Sequence, residues 1–192
     1  LLQKFARAIG SNNIDNCARL CHASTVAAMS DRLGVGAMTN TTDDLMEADA
    51  FLVTGSNPAE QHPVIFNSYL GPAIKDGTTL IHIDPRENQT TRQADIHVPV
   101  TPGYDIPLLN AMSKIIVEEE LYDEAFIEER TEGFEEFTAH LEDVDVAENA
   151  ELAGVEVDVL REAARAYAEA DNAAAFTGMG MSQHKYGTDN VH

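Results

Sequence analysis

A chain of 192 residues with 44% hydrophobic content can bury one good core. Its net charge of −21, from 33 Asp plus Glu against 12 Lys plus Arg, disfavours nucleic-acid binding through phosphate contacts. No run approaches the roughly eighteen apolar residues of a membrane span, so direct membrane insertion is not expected, and no basic segment followed by an apolar one marks a signal peptide.

The two cysteines, Cys17 and Cys21, are too few for a structural zinc site or a disulfide framework, and reduced thiols in a cytoplasmic setting are expected. Only four basic residues are lysines: Lys4, Lys75, Lys114 and Lys185. Many carboxylates with few lysines resemble protein surfaces from high-salt cytoplasms, where salt screens the self-repulsion, and an ordinary acidic protein is the other reading. The chain opens without Met inside a helical pattern, Leu1 to Ala8, and stops at His192 just after Gly187-Thr188-Asp189 is set to cap a new helix. It is expected to be a piece of a longer protein.

Residues 1–10 read as a short helix ended by Gly10, and Ser11-Asn12-Asn13 form a turn. From Ser24 or Thr25 the spacing of Val26, Ala27, Met29 and Leu33 predicts a helix stopped by Gly34 and Gly36. Thr41 to Asp44 offers a cap for another short helix through Met46 and Ala48. Ala50 to Thr54 is a short apolar run of the kind found in buried parallel strands, and it ends in Gly55-Ser56-Asn57-Pro58. A helix follows from about Ala59 to Lys75, with Gly71-Pro72 expected to break or kink it.

Two further strand patterns come next, Thr79 to Ile83 before Asp84-Pro85-Arg86, and Ile96 to Val100 before Thr101 to Asp105. Ile106 to Glu119 is then helical, Tyr122 to Arg130 and Phe134 to Leu141 are shorter acidic helices, and Val155 to Ala170 is a long one. Ala173 to Thr177 is a last strand ending in Gly178-Met179-Gly180-Met181. This alternation predicts the α/β class: a three-layer α/β/α domain over residues 1–192 with a mostly parallel, Rossmann-like sheet of at least four strands.

In such sheets ligands bind outside the carboxyl ends of the strands. Gly55 to Pro58, Asp84 to Arg86, Gly103 to Asp105 and Gly178 to Gly180 all fall there. Each alone is an ordinary turn; four together point to a nucleotide crevice, in which glycine lets backbone approach a ligand, Asp84 accepts from a ribose or guanine edge, and Arg86 forks onto a phosphate. Neither G-x-G-x-x-G after the first strand nor G-x-x-x-x-G-K-[ST] is present, so the usual NAD fingerprint and the P-loop are both excluded.

Cys21-His22 sets a soft ligand and nucleophile beside the side chain that titrates nearest neutrality. A small buried hydrophobe with a satisfied neighbour is the alternative. The surrounding wording, N-N-x-D-x-C-A-R-L-C-H-A-S-T-V-A, resembles the segment carrying the metal-binding Cys or selenocysteine in molybdenum- or tungsten-bis(pterin guanine dinucleotide) formate dehydrogenases of the dimethyl sulfoxide reductase superfamily. The resemblance continues along the chain. Gly55 to Pro63 is similar to G-x-N-P-A-[DE]-x-H-P, Asp84 to Asp95 to D-P-R-x₄-T-x-x-A-D, Tyr122 to Phe126 and Thr131 to Phe134 to L-Y-D-x-A-F and R-T-E-G-F, and Gly178 to Gln183 to G-M-G-x-T-Q, with Ser182 in place of Thr.

The resemblance implies that Cys21 ligates the metal and that His22 assists removal of hydrogen from formate. It also implies that Asn57, Glu60, Asp84, Arg86, Gly103, Asp105, Met179 and Gln183, with Gly55, Gly178 and Gly180, line a pterin-guanine-dinucleotide site. The cofactor is then Mo or W bis-molybdopterin guanine dinucleotide, the substrate formate, and the partners the remaining domains of the same subunit and electron-transfer subunits. A [4Fe–4S] domain before this segment, the arginine that orients formate and most of the second pterin's site are expected outside these residues. His after Cys favours formate dehydrogenase over periplasmic nitrate reductases, which carry a similar Cys and usually Met next. The competing classes are a non-catalytic nucleotide-binding α/β domain and a Rossmann-type dehydrogenase.

Overall fold

The computed structural model describes residues 1–192, and all four of its strands are parallel, in the order β3-β2-β1-β4. The chain opens with α1 (Leu2–Ala8), α2 (Ala18–Cys21) and α3 (Ala23–Leu33), followed by a 3₁₀ turn at Asp43–Glu47 where a short α-helix was expected. Strand β1 (Ala50–Thr54) is buried along its whole length, as an apolar central strand covered on both faces must be.

The crossover to β2 begins with α4 (Pro58–Gln61) and α5 (Pro63–Ile65), which continues through a π turn at Phe66–Leu70 into α6 (Gly71–Asp76). The break comes earlier than the sequence suggests. His62, placed outside the helical region (φ −130°, ψ 57°), interrupts the helix because the residue before a proline is pushed away from α geometry. Pro72 does not interrupt it. Its ring would press on the carbonyl four residues back, and the π turn relieves this by widening the ladder, with Gly71 N–H reaching Phe66 O.

Strand β2 (Thr79–Ile83), a 3₁₀ turn at Thr91–Gln93 and the short β3 (Ile96–Val98) follow. The chain then returns over the opposite face through α7 (Asp105–Glu118), α8 (Glu124–Arg130), α9 (Phe134–Glu142), α10 (Val146–Ala153) and α11 (Val157–Ala168), and enters β4 (Ala173–Thr177) beside β1. Last come α12 (Met179–Ser182) and α13 (Gly187–Val191). Helix α10 was not expected; Asp145 caps it by accepting from Glu148 N at 2.9 Å.

Two cores hold the layers together. On one face Leu52, Ile81, Ile83, Ile96 and Val98 pack under Leu108, Met112 and Ile115 of α7 and Leu160 of α11. On the other, Phe51, Val53 and Leu80 pack under Leu45 of the first 3₁₀ turn, Leu70 and Ala73. Each fully buried side chain of this size contributes about 1.5–3 kcal/mol. Strand β4 is an edge and less deeply packed. Phe176 meets Phe51 edge-on at 5.7 Å, whereas Ala173, Ala175 and Thr177 stay exposed because α11 lies over β1, β2 and β3.

The path from β1 runs to β2 on one side, and the later return places β4 on the other. The switch point between β1 and β4 is where open parallel sheets leave a crevice at their carboxyl ends.

Candidate active site

A crevice of about 700 Å³ opens at that point, within the range of about 300–1,000 Å³ typical of ligand sites. Ten of the thirteen expected site residues line it: Cys21, His22, Gly55, Asn57, Asp84, Arg86, Asp105, Gly178, Met179 and Gly180. Three do not. Glu60 is exposed on α4, Gly103 lies in the turn before α7, and Gln183 stands just outside, donating from Nε2 to the carbonyl of Cys21 at 3.2 Å.

Cys21 and His22 reach the crevice because α2 and α3 meet at a bend. Cys21 ends α2, and His22 (φ −130°) separates the two helices. The Cys21 thiol donates to the Met179 thioether at 2.9 Å, bringing α12 against the bend. His22 Nδ1 lies 3.4 Å from Thr25 Oγ1, so Nε2 is the ring nitrogen with no protein partner. Cys17, one turn earlier, is exposed and outside the crevice lining.

The glycines that line the crevice also let its loops meet. Gly55 has φ +60°, and a Cβ there would stand 2.5 Å from Met181 N and 2.8 Å from Gly180 C. Gly180 N donates to Gly55 O at 2.9 Å, and a Cβ on Gly178 would strike the same carbonyl. These three residues let the β1 and β4 loops touch each other, and the paired loops form part of the crevice wall.

Polar groups fix the remaining walls. Asn57 caps α4, its backbone carbonyl accepting from Gln61 N at 2.9 Å, while its Oδ1 accepts from the Thr90 hydroxyl at 2.7 Å. Asp84 accepts the Arg86 amide at Oδ1 and is otherwise enclosed, with 7% exposure. Arg86 is exposed, leaving its guanidinium free to meet an anion. Asp105, in the first turn of α7, is 6% exposed. Burial raises its pKa above the usual carboxylate value, opposed by its own backbone amide and by His184. Beneath the loops, burial lowers the pKa of His82, partly offset by the Ser56 carbonyl and the charge of Asp84 and reinforced by His97.

Gln61, His62, Pro102 and His184 also line the crevice and were not singled out from sequence as site residues. Gln61-His62 falls inside the Gly55 to Pro63 motif, so its signal was available there. His184 has none in sequence, because its place depends on how α12 docks.

The sequence profile of the molybdopterin oxidoreductase family matches residues 1–192. The chain belongs to that family. It is 43% identical over 192 residues to formate dehydrogenase H of Escherichia coli, covering all of this chain and 27% of that protein. It is 42% identical over 191 residues to the F420-dependent formate dehydrogenase 2 subunit alpha of Methanococcus maripaludis, covering 99% and 28%. It is also 37% identical over 190 residues to the assimilatory nitrate reductase catalytic subunit of Bacillus subtilis, covering 98% and 27%. Among solved structures, acetylene hydratase from Pelobacter acetylenicus superposes with a TM-score of 0.81 at 26% identity, covering 99% of this chain and 26% of that one. The chain thus spans little more than a quarter of the length of each of these relatives. No helix is long and apolar enough to cross a membrane.

Proposed function

We propose that the crevice holds one pterin guanine dinucleotide of a Mo or W cofactor, that Cys21 is the protein's ligand to the metal, and that the full-length protein is a formate dehydrogenase. The observation that carries this reading is the meeting of Cys21 and His22 with the loops of β1, β2 and β4 in one crevice. The residues present fit such a group. No cluster of three or more His, Cys, Asp or Glu could hold a metal by itself, so the crevice offers one soft thiol, Cys21, and the other donors would come with the cofactor. Asp84 and Asp105 are enclosed carboxylates suited to the N–H edge of a guanine, and Arg86 is placed for a phosphate.

When bound, the cofactor would supply a two-electron redox centre for the conversion of formate to CO₂, a proton and two electrons. The chain's own part is to hold and orient. Gln183 fixes the Cys21 bend through the Cys21 carbonyl, and His22 Nε2 is the atom available to accept the proton formate gives up. The rest of the subunit, with a [4Fe–4S] cluster and the arginine that orients formate, would complete the site, and electron-transfer subunits in the cytoplasm would take the electrons.

Nitrate reduction is the second reading, favoured by the Bacillus subtilis relative. The full-length protein purified anaerobically should contain Mo or W, release guanine nucleotide on acid denaturation, and reduce a viologen dye with formate. Metal and nucleotide with nitrate-dependent dye oxidation alone would select the second reading. Nucleotide without metal would leave a non-catalytic nucleotide-binding domain.

A further inference from the structure

His82 is fully buried, does not line the crevice, and takes no part in the chemistry proposed above. It projects from β2 on the same face as Leu80, in register with Val53 of β1 and His97 of β3. Apart from His97 that face is apolar, and a leucine-sized side chain would satisfy packing alone without the desolvation cost of a buried imidazole.

The ring instead joins two loops. Nε2 lies 3.0 Å from the carbonyl of Ser56, between Gly55 and Asn57, and Nδ1 lies 2.9 Å from Oγ1 of Thr91 at the end of the β2 loop. A carbonyl only accepts, so Nε2 carries the proton and the neutral ring accepts the Thr91 hydroxyl at Nδ1. Thr91 Oγ1 also accepts from Asn88 N at 3.1 Å and stands 3.1 Å from Arg86 O, so the same hydroxyl touches the loop that presents Asp84 and Arg86. His97 stacks beside His82, with centroids 6.3 Å apart and planes 27° from parallel, and its Nε2 donates to Asp84 O at 2.8 Å. Two imidazoles thus fix Ser56, Asp84 and Thr91 relative to one another from below.

We propose that His82, backed by His97, is a positioning residue that sets the spacing between the β1 and β2 loops and thereby retains the dinucleotide in the crevice. The inference rests on the cofactor reading given above. Its role is through the loops and not by contact, so it should survive any substitution that keeps the tie to Ser56.

The test uses the full-length holoenzyme with His82→Gln, His82→Asn and His82→Leu. Gln can place a donor where Nε2 stands, Asn reaches only the Nδ1 position, and Leu keeps the volume without either bond. The readout is guanine nucleotide retained by the protein against time, measured after acid release. His82→Leu and His82→Asn should lose nucleotide about 10–100-fold faster than wild type, the scale on which partners behind a ligating shell act, and His82→Gln should stay near wild type. Asn retaining as well as Gln, or all three losing nucleotide at the wild-type rate, would overturn the proposal. The Gln and Asn pair decides the matter if the Leu protein fails to fold. Wild-type protein that releases no guanine nucleotide overturns the cofactor reading together with this one, whereas intact wild type beside unaffected variants overturns this one alone.

Discussion

Replacing Gly55 by Ala should be far more costly than the same change at Gly34, and the difference can be worked from the structure. Both glycines have positive φ, +60° at Gly55 and +76° at Gly34, so each Ala bears the left-handed penalty of about 1–2 kcal/mol. At Gly34 nothing lies within 4 Å of the added Cβ, and the cost stops there. At Gly55 the Cβ would sit 2.5 Å from Met181 N and 2.8 Å from Gly180 C, both backbone atoms that no rotamer change can move aside. Forcing an extra methyl into a packed site adds about 1–3 kcal/mol. For a unit of this size each kcal/mol lowers the melting temperature by about 2–4 °C, so Gly55→Ala should melt roughly 2–12 °C below Gly34→Ala. Scanning calorimetry of the two full-length variants under one set of conditions measures this. Equal melting temperatures would refute the idea that Gly55 is glycine because the β1 and β4 loops touch there.

Cys21→Ala in the complete enzyme should abolish formate oxidation while Cys17→Ala keeps substantial activity, because a methyl cannot replace a soft ligand and Cys17 lies outside the crevice; steady-state dye reduction decides, and equal loss in both would place the ligand elsewhere. His22→Ala should retain metal and nucleotide but lose about 10²–10⁴-fold in turnover, the usual worth of a positioned base; near-normal turnover would make His22 structural. Burial holds the His82 pKa below 6.5 in the folded chain, so on acidification the unfolded chain takes up this proton first. Stability should therefore fall as the pH drops from about 6.5 to the lower folded value and then level off as far as this residue is concerned, a decline that His82→Gln makes shallower in melting curves. If the net charge of −21 is a high-salt adaptation, the melting temperature should rise between about 0.1 M and 1 M KCl, as the Debye length shrinks from ~10 Å to ~3 Å; a flat or falling curve would leave it as ordinary acidity.

The strands and the crevice were legible in the sequence because each depends on a short-range signal. Apolar runs such as Ala50 to Thr54 mark buried strands wherever they fall, and Gly55, Asp84 and Gly178 follow directly after such runs. Helix α10 was not legible, since its buried positions are the small Ala150 and Ala153, which give little hydrophobic contrast against the neighbouring acids. In the helix before β2, the break at His62 was not legible, and Gly71-Pro72 distorts the helix without ending it. Gly71-Pro72 is a strong breaking signal, and only the register of a π turn, set by packing of Leu70 and Ala73 on the sheet, overrides it. Met179 lines the crevice as the resemblance implies and also touches Cys21, and Gln183 stands just outside against the Cys21 carbonyl; the contact from Cys21 to Met179 spans 158 residues and no local pattern encodes it.

The central claim is that the thiol of Cys21 is the one protein atom bound to the metal. X-ray absorption at the Mo or W edge of the full-length holoenzyme, compared with Cys21→Ser, measures this directly. The account predicts that the variant loses one sulfur scatterer from the metal's shell and gains a lighter one. An unchanged sulfur shell in a variant that still holds its metal would contradict it.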